Sequence, residues 1–218
     1  MSEYRAVLRR VGVVLVAVGL LDIGYMAYCI ANNLNYSSSF NIFAVIAGIF
    51  LLRGNIAAVR LVTWFSAFML AGFLGVVLIL LPFLQPADLW ITQFRISPTA
   101  TVVSAGIGIA VIALLLWVYM QLRSPSVVQA RVVVGHSASP PRLAFLVGVL
   151  LVIGLAVAMH FVMNGQSSSK AMQLAELQVG PGYKYHVAAM HWSGGHVRAT
   201  VTAYNEHEIK AVQVEWEQ

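Results

Sequence analysis

The chain has 218 residues, of which 60% are apolar and only 10% are charged, and its formal net charge is +5. Roughly a quarter of the residues in soluble domains are charged, so this composition argues against a soluble protein and predicts a membrane protein. The basic residues cluster at the ends of apolar runs instead of forming a patch interleaved with aromatic residues, which excludes a nucleic-acid-binding function. The only cysteine, Cys29, excludes an intramolecular disulfide.

Five apolar runs follow one another along the chain and predict a membrane all-α bundle of five transmembrane helices. A helix of about 20 residues is long enough to cross the apolar core of a bilayer. The predicted spans are residues 11–30, 36–52, 61–84, 98–120 and 142–163. The second run is the shortest and begins with serines. The bundle is predicted to occupy residues 1–163, and a separate domain is predicted for residues 164–218.

Arginines in the short loops predict the orientation of the bundle. Eight of them lie before the first run, between the second and third, or between the fourth and fifth: Arg5, Arg9, Arg10, Arg53, Arg60, Arg123, Arg131 and Arg142. The loops on the other side contain only Arg95. Because cytoplasmic loops are enriched in Lys and Arg, the N-terminus is predicted to be cytoplasmic and the C-terminal domain extracytoplasmic.

The segment between the third and fourth runs predicts a short helix lying on the outer membrane surface. Leu89, Trp90 and Phe94 can share one side of that helix, with Asp88 and Arg95 directed towards water. Two small-xxx-small pairs predict close contacts between spans, because small side chains let helix backbones approach. These pairs are Ser104 with Gly108, and Gly154 with Ala158.

The C-terminal domain is predicted to be α+β, with one helix followed by a three-stranded antiparallel meander. Ser168 or Ser169 could cap the helix, which is predicted over residues 170–178. The predicted strands are residues 183–192, 196–204 and 209–216. Alternation with a period of two predicts a buried sheet face made of Tyr183, Tyr185, Val187, Val197, Ala199, Val201, Ala203, Val212, Val214 and Trp216. About fifty residues without a disulfide are close to the lower limit for independent folding. The domain is therefore expected to lean on the bundle, a second copy or a partner.

A polar stripe in the first run is one candidate site, and its members are Asp22, Tyr25, Cys29 and Asn32. A charged carboxylate near the bilayer midplane costs roughly 2.5–3.5 kcal/mol, so Asp22 is either a proton or ligand site or a neutral acid that holds helices together. The second interpretation is favoured because no basic residue lies at a comparable depth. Polar residues of other spans that could pair with Asp22 are Asn41 and Ser104.

The polar face of the predicted sheet is the other candidate site. Its members are His186, Met190, Trp192, His196 and Arg198, which form either a surface for a partner or a surface that packs on the loops of the bundle. Imidazole and thioether groups also suit copper. However, His186 and His191 are five residues apart and should point to opposite faces of one strand, so no metal or other cofactor is predicted.

These patterns predict a non-catalytic, multi-pass protein of the bacterial inner membrane. It would present a small periplasmic interaction domain and act as an accessory, assembly or sensing factor for an envelope component, with a membrane or periplasmic protein or a second copy as partner. The alternative is a small transporter or channel subunit that uses Asp22. Partner, substrate and oligomeric state are not encoded in any motif of the chain.

Overall fold

The computed structural model describes residues 2–34, 36, 41–163 and 165–217, without the side chains of Ser2, Asn41 and Val162. Within this part of the chain, four helices are long and apolar enough to cross a membrane: Glu3–Ala31, Ile56–Leu84, Pro98–Leu122 and Arg142–Phe161. The second predicted run contributes only the shorter apolar helix Ile42–Leu52. Its first residues, 37–40, lie outside the described residues.

The helices are α1 (Ser2–Ala31), α2 (Asn41–Leu52), α3 (Ile56–Gly75), α4 (Leu81–Leu84), α5 (Ala87–Ile96), α6 (Pro98–Leu122), α7 (Pro125–Val133), α8 (Arg142–Met163) and α9 (Gln166–Val179). A π-helical turn, Val76–Leu80, joins α3 to α4. The strands are β1 (Lys184–Ser193), β2 (His196–Tyr204) and β3 (Ile209–Glu217), and they form one antiparallel sheet in the order β1-β2-β3.

The chain divides into two compact units. The first contains Met1–Ala71 and Ile112–Val147, and the second contains Gly72–Val111 and Gly148–Gln218. Residues of α3, α6 and α8 belong to both units because these long helices are divided between them. The predicted boundary after residue 163 is not tested by this division and stays a prediction.

In the first unit, α1 and α2 form an antiparallel hairpin in which two glycines face each other. A Cβ atom added to Gly48 would lie 2.7 Å from the carbonyl oxygen of Gly12, so the backbones touch where neither residue has a side chain. The core around this crossing contains Leu8, Val11, Leu15, Ala47, Leu51, Val59, Val62, Val118, Leu122 and Val127.

The end of α1 is a hydrogen-bonded turn built on an asparagine. Asn33 adopts a positive φ of 54°. The amide of Leu34 donates to the carbonyl of Cys29 over 2.9 Å, and the amide of Asn33 donates to the carbonyl of Ile30 over 3.3 Å. These two bonds satisfy carbonyl groups that a helix leaves unpaired at its C-terminus. The polar residues after the first run therefore end α1 and reverse the chain.

In the second unit, the apolar helices pack through a small cluster and leave wide apolar surfaces exposed. Leu80, Val152 and Ala156 are buried together, and an added Cβ at Gly75 would lie 3.0 Å from Val152. An added Cβ at Gly108 or Gly154 would meet no atom of the described residues within 4 Å. The close contacts predicted for these two glycines were therefore wrong within this chain, because both lie on open helix surfaces.

The C-terminal sheet and helix agree with the predicted fold. Ala171 and Ala175 of α9 pack on Val187, Ala199, Val201, Ala203, Val212 and Val214, with Tyr183, Tyr185 and Trp216 around them. Val197 and Val201 are both fully buried, which confirms the predicted buried face. The predicted caps were wrong: α9 begins one turn earlier, with Gly165 as its N-cap, and Ser168 is buried inside the helix.

Candidate functional site

A β-bulge in β1 determines which side chains share the outer face of the sheet. Val187 pairs with Val201, but the next pair is Ala189 with Thr200, so Ala188 is the extra residue. An extra residue reverses the alternation of side chains beyond it. Before Ala188 the odd-numbered residues of β1 face α9, and after it the even-numbered residues do.

The bulge divides the polar face predicted from the sequence. Met190 pairs with Ala199 and Trp192 with Val197, so both lie on the face that α9 covers. Met190 is packed against the core there, and Trp192 stays 43% exposed at the end of the sheet. The grouping of these two residues with His186, His196 and Arg198 was wrong, because strict alternation does not hold across a bulge.

The same bulge brings two histidines to one face. His186 pairs with Thr202 and His191 pairs with Arg198, both on the outer face, so the prediction that these histidines point to opposite faces was wrong. No group of three or more His, Cys, Asp or Glu residues with the geometry of a metal site occurs in the described ranges.

The first end of β1 is held against the loop helix α5. The Lys184 ammonium group forms an ion pair with the Asp88 carboxylate, and Arg95 Nη1 lies 3.9 Å from Glu206 Oε2. The ammonium group of Lys184 lowers the pKa of Asp88, and Asp88 in turn raises the pKa of Lys184. Asp88 and Arg95 are exposed to water as predicted, and each also has an oppositely charged partner, in β1 and in the loop between β2 and β3, respectively.

His186 is half-buried next to this contact, beside the end of α4. Burial lowers the pKa of its imidazole, while a hydrogen bond with the backbone of Leu84 acts in the opposite direction. The ring lines a cleft of about 120 Å³ together with Phe83, Met159 and Met172. His186 therefore belongs to the contact between the sheet and the helices of its own unit.

The other end of the outer face is open. His191, His196 and Arg198 are exposed there. The Arg198 Nη2 atom donates a hydrogen bond to Glu215 Oε2 over 3.1 Å. This ion pair leaves more than half of the arginine side chain exposed, at 64%. The open end therefore presents one guanidinium group and two imidazole rings next to the carboxylate of Glu215.

A second polar cluster fixes the start of β1 to the hairpin between β2 and β3. The Tyr183 hydroxyl donates to the Glu208 carboxylate, and Lys210 Nζ lies 2.8 Å from both the Tyr183 hydroxyl and Glu208 Oε1. The Tyr185 hydroxyl donates to the carbonyl of Gly180. Sequence reasoning missed this cluster, because Tyr183 is distant in the sequence from Glu208 and Lys210.

The predicted polar stripe lies on α1, where the side chains of Tyr25 and Cys29 are hydrogen-bonded to each other. Asp22 is half-buried, Tyr25 is 57% exposed and Cys29 is 1% exposed. The Asn32 side chain donates to the carbonyl of Tyr28 over 2.8 Å and so belongs to the end of α1. Of the partners suggested for Asp22, the Asn41 side chain lies outside the described residues, and Ser104 is an exposed residue of the second unit.

We compared the chain with known families, curated proteins and solved structures. No family, no curated protein and no solved structure matches it.

Proposed function

We propose that this chain is a multi-pass protein of the bacterial inner membrane that presents α9 and the sheet β1-β2-β3, together called the C-terminal unit, to a protein partner in the periplasm. The apolar helices support the membrane assignment, as do side chains such as Leu21, Leu143 and Phe161, which are 74%, 70% and 75% exposed. Such surfaces are unfavourable in water and suit contact with lipid. The protein would act as a non-catalytic accessory, assembly or sensing factor.

The α1–α2 hairpin supports five crossings. Gly48 lies against Gly12, and the Tyr36 ring lies 6.1 Å from the Tyr25 ring, so Tyr36 and α2 both lie along α1. We infer from this return along α1 that the second apolar run crosses the membrane. Five crossings place the N-terminus and the C-terminal unit on opposite sides of the membrane.

The arginines of the first unit support a cytoplasmic N-terminus. Arg60 and Arg123 belong to two different predicted cytoplasmic loops. Both lie close enough to Arg131 to lower its pKa by repulsion, in addition to the larger effect of its burial. Basic groups gathered at one end of a bundle are typical of the cytoplasmic side.

The observation that carries the proposed interaction function is the division of the outer sheet face into a held end and an open end. Lys184 and His186 hold the first end against α5 and α4. His191 and Arg198, which pair with each other near the opposite end of β1, remain exposed. A small sheet fixed in this way can offer its open end to a partner without unfolding.

Site-specific photo-crosslinking in cells tests this proposal. A photoreactive amino acid at Gln213, which is exposed on the outer face of β3, is expected to form an adduct with one protein. The matched control is the same amino acid at Gln178, an exposed residue of α9 away from that face. Arg198→Glu is expected to weaken the Gln213 adduct. Identical adducts at both positions, or none at Gln213, would contradict the proposal.

A further inference from the structure

A cleft in the first unit is lined by arginines from three separate segments. It has a volume of about 400 Å³ and lies between α3, the end of α7 and the start of α8. Arg60, Arg131 and Arg142 line it together with Trp64 and Leu143. Its size is within the range of small-molecule sites, which are commonly 300–1,000 Å³.

The amphipathic helix α7 buries one of these arginines. Val127 and Arg131 are one helical turn apart and are both buried, because this face of α7 packs on the bundle core. The helix ends at Val133, Gly135 two residues later adopts a φ of 82°, and the amide of His136 donates to the carbonyl of Arg131 over 2.9 Å. The following loop is thereby turned back over the guanidinium group.

The buried guanidinium group is incompletely paired. Arg131 is 6% exposed, and its Nη2 atom donates to the carbonyl of Ser137 over 3.1 Å. Its Nε atom is buried and has no hydrogen-bond partner in the described part of the chain. A buried cation is costly unless it is paired with an anion or fully hydrogen-bonded.

The surroundings add positive charge without adding a carboxylate. No ion pair involves Arg60, Arg123, Arg131 or Arg142 among the residues that the structure describes. Burial, reinforced by repulsion from Arg123 and Arg60, lowers the pKa of Arg131. The attraction of a bound anion to these groups would offset their mutual repulsion and compensate the buried charge.

The rim of the cleft is apolar on one side. Trp64 is 39% exposed and Leu143 is 70% exposed, and both lie next to the arginine-lined interior. Tryptophan and arginine side by side are typical of the boundary between lipid and water. A molecule with an anionic group and an acyl chain fits both sides of this cleft.

We propose that this cleft binds a phosphate-bearing anion, with the headgroup of an anionic phospholipid as the favoured source. Arg60 and Arg142 would bind the phosphate oxygens through their planar donors, and Arg131 would supply a fixed positive charge from below. The acyl chains would pass over Trp64 and Leu143. Basic pockets between membrane helices are known to take anionic headgroups.

Native mass spectrometry of the delipidated, full-length protein tests the site. Phosphatidylglycerol is added to the wild type, to Arg60→Gln/Arg142→Gln and to Arg5→Gln/Arg9→Gln, and phosphatidylcholine serves as the neutral lipid. Arg5→Gln/Arg9→Gln is the matched control, because it removes the same amount of positive charge from exposed arginines outside the cleft. A second arm measures the change in melting temperature caused by inorganic phosphate.

The wild type and the control are expected to retain phosphatidylglycerol in preference to phosphatidylcholine. The Arg60→Gln/Arg142→Gln variant is expected to lose about tenfold or more in affinity, since each charge-assisted hydrogen bond to phosphate is strong.

Stabilisation by inorganic phosphate, lost in the same variant, would identify free phosphate as the source and retain the anion site. Equal lipid preference in all three proteins, or no preference and no phosphate effect in the wild type, would overturn the proposal. If the double variant is not folded by circular dichroism, Arg142→Gln alone replaces it.

Discussion

The half-buried imidazole of His186 makes the stability of the C-terminal unit dependent on pH. Burial lowers its pKa below the ordinary value of 6.5, so the folded state binds fewer protons than the unfolded state at mildly acidic pH. The contribution of the neutral His186 imidazole to folding stability is complete above pH 6.5. It is lost as the pH falls through the lowered pKa of the folded state.

We therefore expect the melting temperature of the wild type to fall between pH 7.5 and pH 5.5. His186→Gln should show a weaker fall, because glutamine does not titrate. His191→Gln, which changes an exposed histidine on the same face, is the matched control and should retain the wild-type pH dependence. Thermal unfolding of the three purified proteins measures this, and equal slopes in wild type and His186→Gln would disprove the assignment.

A substitution of Asp22 tests whether the protein is an accessory factor or a transporter that uses this carboxylate. Four clefts of about 120, 410, 400 and 590 Å³ are lined by other residues, as is a void of about 10 Å³ in the core of the first unit. Asp22→Asn keeps the shape of a neutral acid, so we expect normal expression, normal thermal stability in detergent and an unchanged Gln213 adduct. Loss of the adduct from a stably folded Asp22→Asn protein would favour a functional carboxylate.

At the scale of helices, the Gly12–Gly48 crossing determines how closely α1 and α2 approach. A Cβ atom at position 48 would lie 2.7 Å from both Gly12 O and Val16 Cγ2, and backbone cannot move aside as easily as a flexible side chain. We expect Gly48→Ala to destabilise the protein by about 1–3 kcal/mol, the usual cost of overpacking.

Gly108→Ala is the control for that substitution, because a Cβ atom there meets nothing within 4 Å among the described residues. Alanine also favours a helix over glycine by about 1 kcal/mol, so this variant should be neutral or slightly more stable. Melting temperatures in one detergent compare the two. Equal destabilisation by both substitutions would show that the α1–α2 crossing is not a specific contact.

One exposed ion pair, Lys184 with Asp88, joins α5 to β1, so the strength of this contact should depend on charge sign. Asp88→Lys places two positive groups together and is expected to increase hydrogen exchange in α5 and in the first residues of β1. Adding Lys184→Asp restores an attractive pair and should restore protection. Because exposed pairs are screened, the effect should shrink in high salt. Unchanged exchange in Asp88→Lys would show that the ion pair does not hold the sheet.

Much of the C-terminal unit could be predicted because its structure follows from patterns of residues that are near one another in the sequence. Alternating valines and alanines in β2 identify the buried face, and Gly194 and Gly195 adopt the positive φ angles that a hairpin turn requires. The bulge at Ala188 could not be predicted, since no residue type in that strand demands it. It moved Met190 and Trp192 to the covered face and His191 to the open one.

The sites in the first unit were less predictable because they depend on packing between distant segments. Arg131 was counted only as a loop arginine, yet the burial of α7 places it under the loop before α8. Gly48 was one of many small residues in apolar runs, and only the tertiary contact with Gly12 distinguishes it from Gly108. Long-range contacts of this kind leave no period or motif in the sequence.

For the whole molecule, the central claim is that the chain crosses the membrane five times, with its C-terminal unit outside the cytoplasm. Whether α2 crosses the membrane decides this, because four crossings would put both termini on the same side. Cysteine accessibility in intact cells is the direct measurement, with Cys29→Ser as background and an impermeant thiol reagent.

Three exposed positions are probed in that background: Glu3→Cys, Ser137→Cys and Gln178→Cys. The account predicts that the reagent labels Gln178→Cys in intact cells, whereas Glu3→Cys and Ser137→Cys react only after the cells are lysed. Labelling of Ser137→Cys in intact cells, or protection of Gln178→Cys until lysis, would contradict it.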